Sequence, residues 1–331
     1  MEIFMRKIKI ILAVVSLLLV VFCIASCDKK DPSTKEDVYY TVTFNTTGGT
    51  EMGSIKVLAG TKLATPETPT KEGYIFSNWK NGTVVWDFDR NTVNSDITLS
   101  ASWLDVRSIF EYVVEGDEVT ITGFRGGVAN VETPSVIEGY PVTAIGASAF
   151  EGLTYQSLRS IVIGESIRHI GERAFANCTD VKITVAAKPE SLGRNAFFGC
   201  EKLERIEFGG GLLEVPFEAF SGCKGLKEVV LSNTVTTIAE NAFEFCTALE
   251  NLVAHSSLSL VEDSAFADCA SFAVCYYGTP EEWAETEISD GNSGNTLLHS
   301  ARLYIYSESK PEGSVEGNFW YLDKNGRIRV W

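Results

Sequence analysis

The residues best equipped for chemistry here are the cysteines and histidines, and their spacing argues against catalysis. Five of the eight cysteines, Cys178, Cys200, Cys223, Cys246 and Cys269, recur at intervals of 22, 23, 23 and 23. A zinc site needs ligands that converge on one point, and a linear ladder does not converge. If each interval is one turn of a stacked array, neighbouring thiols lie about 5 Å apart on one face. That distance permits a disulfide, but parallel Cα–Cβ vectors give poor dihedral geometry. The better reading is a buried free thiol acting as a small hydrophobe, with the redox state left open. The three histidines, His169, His255 and His299, form no HExxH or similar pair and read as structural or solvated. No GxSxG elbow, phosphate loop, dinucleotide fingerprint or Cys/His nucleophile context occurs. The short acidic run Glu281-Glu282 with Glu285 reads as a solvated helical face. The expectation is a protein that is not an enzyme and has neither cofactor nor metal.

The elements that must position these residues are repeats. An Ala-Phe pair recurs at Phe150, Phe175, Phe197, Phe220, Phe243 and Phe266, at intervals of 25, 22, 23, 23 and 23. The cysteine follows the Phe by three residues, with Leu153 in its place in the first copy. An aliphatic residue precedes the Phe by five: Ile145, Ile170, Leu192, Val215, Ile238 and Val261. A strand-like segment follows, such as Leu226/Val229/Leu231. One such unit cannot bury its own apolar face, but stacked units bury a continuous column. The expectation is a solenoid with parallel strands, an internal Phe spine and the cysteines in its core. The 25-residue interval adds two residues to the loop after Phe150, and the 22-residue interval deletes one inside the Val181–Val185 strand.

The segment Ile170-Gly171-Glu172-Arg173-Ala174-Phe175-Ala176-Asn177-Cys178 and its copies resemble the BspA-like leucine-rich repeat of bacterial surface antigens. Val119-Thr120-Ile121-Thr122-Gly123 and Ile137-Glu138-Gly139-Tyr140-Pro141-Val142 match that family's atypical first coil. Tyr276-Tyr277-Gly278-Thr279-Pro280 with Trp283 looks like its array ending. The solenoid is expected over residues 108–302. Trp320, Asn325-Gly326 and Trp331 suggest a hairpin within a C-terminal cap, 303–331. The resemblance implies adhesion to host or matrix proteins and to other cells; the alternative reading is a structural spacer or envelope component without a specific ligand.

Residues 38–103 read as short strands and turns. Tyr40, Val42 and Phe44 alternate with Thr41 and Thr43, and Ile97, Leu99, Ala101 and Trp103 alternate likewise. Val42-Thr43-Phe44-Asn45 with Gly48-Gly49, then Lys71-Glu72-Gly73-Tyr74-Ile75-Phe76 with Trp79, and Ile97 to Trp103, resemble the internalin-type B-repeat. That implies a small β-grasp-like domain whose aromatics are core. The fold class expected overall is mainly β.

Residues 1–26 read as a leader: Arg6, Lys7 and Lys9 precede an apolar run from Ile10 to Ile24, short for a membrane span. Ile24-Ala25-Ser26-Cys27 resembles a bacterial lipobox, which implies lipidation at Cys27 and a location on the outer side of the bacterial cell envelope. Residues 27–37 are polar and read as a flexible tether. The 331-residue chain carries a net charge of −16, so phosphate backbones repel it and nucleic acid is not an expected partner. The expected contacts are an extracellular or host/matrix protein and, through the lipid alone, the membrane; the chain is expected to be a monomer.

Strand periodicity assigns an outward row on the solenoid's β face: Val162, Thr184, Glu207, Val230, Val253 and Tyr276. Flanking rows end at Val274 and Gly278. Charges on these rows cancel (Lys182 and Arg205 against Glu207 and Glu228) although the molecule is acidic. A near-neutral, partly apolar strip suits a protein-binding face; ordinary strand propensity would also place Val, Thr and Tyr there.

Overall fold

A computed structural model describes residues 37–154, 158–269, 272–289, 291, 294–309, 319–324 and 326–331. The leader, the lipidation candidate Cys27, nearly all of the tether and Asn325 of the expected hairpin turn lie outside them. No helix among the described residues is long and apolar enough to cross a membrane.

The first five strands are β1 (Tyr39–Asn45), β2 (Ile55–Leu58), β3 (Tyr74–Asn81), β4 (Val84–Val85) and β5 (Ile97–Asp105). They form one mixed sheet in the order β2-β1-β5-β3-β4, with β1 and β5 parallel at its centre. Alternation explains its one-sided core: Val42, Phe44, Leu99 and Ala101 are buried with Trp79, Leu63 and Val93. The Trp103 indole donates to the Thr46 carbonyl at 2.9 Å. A Cβ at Gly49 would come within 2.5 Å of that indole, so the turn accepts only glycine there.

A one-turn helix, α1 (Val106–Ile109), joins β5 to the hairpin β6 (Phe110–Glu115) and β7 (Glu118–Phe124). Next come β8 (Asn130–Glu132), β9 (Val136–Ile137) and β10 (Tyr140–Ile145), with β10 parallel to β7. From there each coil contributes a two-residue strand before the Phe and a longer strand after it. The coils are β12 (His169–Ile170) preceded by β11 (Ser160–Ile163), then β14 (Ser191–Leu192) preceded by β13 (Lys182–Val185). They continue with β15 (Arg205–Glu207), β16 (Glu214–Val215), β17 (Glu228–Val230), β18 (Thr237–Ile238), β19 (Asn251–His255), β20 (Leu260–Val261), β21 (Ala273–Tyr277) and β22 (Glu287–Ile288). Within both columns, the pairings from coil to coil are parallel.

Parallel pairing sets strands about 4.8 Å apart, and the spine inherits that spacing. Successive rings from Phe150 to Phe266 stack with centroids 4.9, 5.2, 5.3, 5.2 and 5.3 Å apart and nearly parallel planes. Each of the first five Phe N–H groups donates to an Ala carbonyl of the next coil at 2.8 Å. Each repeat thiol donates back to the Phe carbonyl of the preceding coil, as Cys223 does to Phe197 at 3.1 Å. All five repeat cysteines are buried and free. Burial pushes the Cys178 thiol up to about 11 and Cys269 up to about 12, which suppresses the reactive thiolate.

Two backbone positions per coil, two residues before and two after the Phe, take positive φ. Asn177, Gly199, Gly222 and Asp268 suit the second; Phe245, at φ 57°, is a bulky exception.

After β21, α2 (Pro280–Ala284) opens on a capping box in which Thr279 and Glu282 exchange hydrogen bonds. A further helical turn, α3 (Thr296–Ser300), follows β22. Among the described residues no seventh Phe coil accepts the Phe266 N–H; the side chain of Asn295 accepts it instead at 3.1 Å. Its amide donates to the carbonyls of Glu262 and Ser289, each at 2.7 Å. One amide side chain thus completes the ladder that another coil would have continued. The long-strand sheet runs on through β23 (Arg302–Tyr306), β24 (Phe319–Leu322) and β25 (Ile328–Val330), where β24 and β25 form the antiparallel cap hairpin.

The last coil corrects the sequence reading by one residue. In the three regular coils, the buried strand residue follows the cysteine by six, as Val229 follows Cys223. In β13 it follows by five, and so it does again in β21, where Val274 follows Cys269. Val253 therefore pairs with Cys275, and Ala254 with Tyr276. Because side chains alternate, a one-residue slip moves every side chain to the other face. Tyr276 and Val274 point into the core, and Ala273, Cys275 and Tyr277 point outward. The first deletion is visible in the Phe spacing; the second falls beyond the last Phe.

Candidate functional site

The outward face of the long-strand sheet is built from three aligned rows. Arg205, Glu228, Asn251 and Ala273 form the first; Glu207, Val230, Val253, Cys275 and Tyr304 form the second. The third contains His255 and Tyr277, and Tyr306 and Trp320 extend it into the cap.

The assigned row is only partly a free surface. Val162, Glu207 and Val230 are half-buried and Thr184 is exposed. Val253 is only 3% exposed and Tyr276 is fully buried. Two different causes apply. Tyr276 lies on the inner side through the register shift, packing edge-on against Trp283 at 5.3 Å. Val253 does point outward, but the cap covers it: Val253, Cys275, Tyr304 and Trp320 form a separate small core. Burial there pushes the Cys275 thiol up to about 12.

Trp320 makes this cover. Its ring lies 5.1 Å from Tyr306 and 4.7 Å from Tyr277, and its N–H donates to the Tyr276 carbonyl at 3.4 Å. Reaching back across the intervening strand, the indole lies over the sheet face and brings the hairpin with it. Tyr277 in turn stacks on His255 at 4.5 Å. Burial of His255 holds its imidazole below the usual range, so it is neutral at physiological pH.

Between the hairpin and the sheet face lies an open slot of about 440 Å³. Val230 and Val253 form its floor, His255, Tyr277 and Trp320 one wall, and Leu322 and Ile328 its roof. The far rim is charged and self-neutralised. Arg205 pairs with Glu228 at 2.5 Å and with Glu207 at 2.9 Å, and Lys188 pairs with Glu207. Burial opposes ionisation of Glu207, but Lys188 and Arg205 outweigh it and hold the carboxylate below its usual range. No group of three or more His, Cys, Asp or Glu side chains among the described residues could hold a metal ion. Sequence reasoning missed the slot because its roof comes from residues 319–328, distant in sequence from its floor.

Residues 143–273 match the BspA type leucine rich repeat region in six copies, and residues 40–102 match the Listeria-Bacteroides repeat domain. A protein of Evansella cellulosilytica named as a Gly-rich membrane protein is 37% identical over 67 residues, 19% of this chain and 8% of that protein. A second, named as a membrane protein of the same organism, is 36% identical over 78 residues, 23% of this chain and 11% of that protein. The chain thus spans about a tenth of the length of these curated relatives. Among solved structures, the T. pallidum leucine rich repeat protein is 26% identical, with a TM-score of 0.47, covering 58% of this chain and 91% of that one. A leucine rich cell surface protein of Faecalibacterium prausnitzii is also 26% identical, with a TM-score of 0.46, covering 67% and 59% respectively. The chain carries a Listeria-Bacteroides repeat domain followed by a BspA-type leucine-rich-repeat region.

Proposed function

We propose that this chain is a non-catalytic binding and adhesion protein of the bacterial cell envelope. It is anchored through a lipid on Cys27 and presents its solenoid to an extracellular, host or matrix protein. The observation that carries this reading is the slot on the outward sheet face, where the half-buried Val230 and the exposed Leu322 present apolar surface beside charges already paired with one another. An active site would place reactive groups in such a slot. Here the thiol is buried, the imidazole is stacked against an aromatic ring and both carboxylates are held by cations. The relatives named as membrane proteins and the polar tether support the envelope location.

The test is a screen of cells displaying the full chain against immobilised extracellular-matrix and cell-surface proteins. Saturable binding to one of them supports the reading. Absence of binding across the panel, with the displayed chain folded, overturns it in favour of a structural spacer. The anchor has its own test. Cys27→Ala should release the protein from the membrane fraction or leave its precursor uncleaved, and a variant that is processed and fractionates like wild type refutes lipidation.

A further inference from the structure

We infer that the slot beneath the C-terminal hairpin is a socket for one bulky apolar side chain of a basic protein segment. This deepens the binding reading above and rests on it.

Backbone recognition is closed off at the floor of the slot. β17 is hydrogen-bonded to β15 and β19, and β19 to β17 and β21, so the strands that carry Val230 and Val253 have no edge open to an incoming chain. A ligand must be read by side chains. The floor and roof are aliphatic: Val230 and Val253 below, Leu322 and Ile328 above. A sugar hydroxyl turned towards any of these would lose its water without gaining a partner, which is costly. An aliphatic or aromatic side chain loses nothing there and gains the burial. Leu322 is 44% exposed and Val230 half-buried, so the slot holds apolar surface that an occupant would cover.

Charge selects the flanks of the occupant. Arg205 is already paired with two carboxylates, so its charge is neutralised and the slot offers an entering anion no net positive charge. The rim leaves no net charge near the apolar floor, which suits an uncharged anchor. The chain as a whole carries −16 and draws basic partners towards it. An occupant would desolvate this apolar centre between the aromatic wall and the rim of paired charges, which is how an interface hot spot is built.

The experiment uses the full chain in phospholipid nanodiscs with end-blocked peptide probes followed by saturation-transfer NMR. The probes are Lys-Gly-Trp-Gly-Lys, Glu-Gly-Trp-Gly-Glu and Lys-Gly-Ser-Gly-Lys, with methyl β-D-glucopyranoside alongside. The basic Trp peptide should bind about fivefold or more tightly than each of the others. Leu322→Ser, at an exposed position, and Val230→Lys should each weaken it about fivefold or more, with thermal melts confirming that the variants fold. Equal binding of the Ser peptide, preference for the acidic peptide or the glucoside, absence of Trp-peptide binding, or binding unaffected by Leu322→Ser overturns the socket. If a protein from the surface panel binds and neither variant weakens that binding, the socket fails while the binding function stands.

Discussion

Replacing Phe220 with alanine tests the physics of the array most directly. Phe220 is fully buried and stacks between Phe197 at 5.3 Å and Phe243 at 5.2 Å, with Phe208 edge-on at 5.9 Å. Burying such a side chain contributes about 1.5–3 kcal/mol, and each of its two parallel stacks adds about 0.5–1.5 kcal/mol. The backbone around it is held from both sides: its N–H donates to Ala242 and its carbonyl accepts from Cys246 on the next coil, while the Ala219 carbonyl and the Cys223 thiol beside it bond to Phe197 on the preceding one. The coils above and below therefore cannot collapse into the void, which puts the cost at the upper end of the range for Phe→Ala, about 4–5 kcal/mol. The assay is equilibrium urea unfolding, with hydrogen exchange to map the damage. Protection should fall together in β15, β17 and β19, because solenoid stability resides in nearest-neighbour interfaces. The control is Phe245→Ala, at a site 44% exposed. A loss below about 1 kcal/mol at Phe220, or protection lost in its own coil alone, would refute the spine as the source of cohesion.

Phe245 also supports a gain. Its φ of 57° is unfavourable for a bulky side chain and Asn177 occupies the equivalent place, so Phe245→Asn should stabilise the chain by about 1 kcal/mol in the same urea assay. Asn295→Ala should cost about 2–3 kcal/mol by leaving the Phe266 N–H and two carbonyls without their partner; thermal melts would read it. Burial lowers the His255 pKa, so below about pH 6.5 the unfolded chain takes up a proton there more readily than the folded one. That contribution to stability is present at neutral pH and is lost as pH falls below about 6.5, and His255→Gln should flatten this part of the pH–melting curve.

How much could be read in advance follows from how far each signal reaches along the chain. The Phe, Ala and Cys of each coil announce themselves by spacing, because parallel stacking makes each coil face a near copy of itself. The B-repeat sheet was legible through alternation, since its strands bury one face each. What spacing cannot carry is register where the repeat stops. The deletion between Phe272 and Val274 has no later Phe to reveal it, so Tyr276 was read as an outward contact although it lies inside. Nor can spacing show coverage. Val253 and Val230 face outward alike and both line the slot, and only the Trp320 indole, brought back across the sheet from residues some sixty-seven positions downstream of Val253, decides that Val253 is covered while Val230 stays half-open. The sequence alone determined the coil, its core and its repeat, because local patterning repeats every coil. The tertiary structure alone decided where the face ends and what hoods it, because those depend on contacts between segments that share no period.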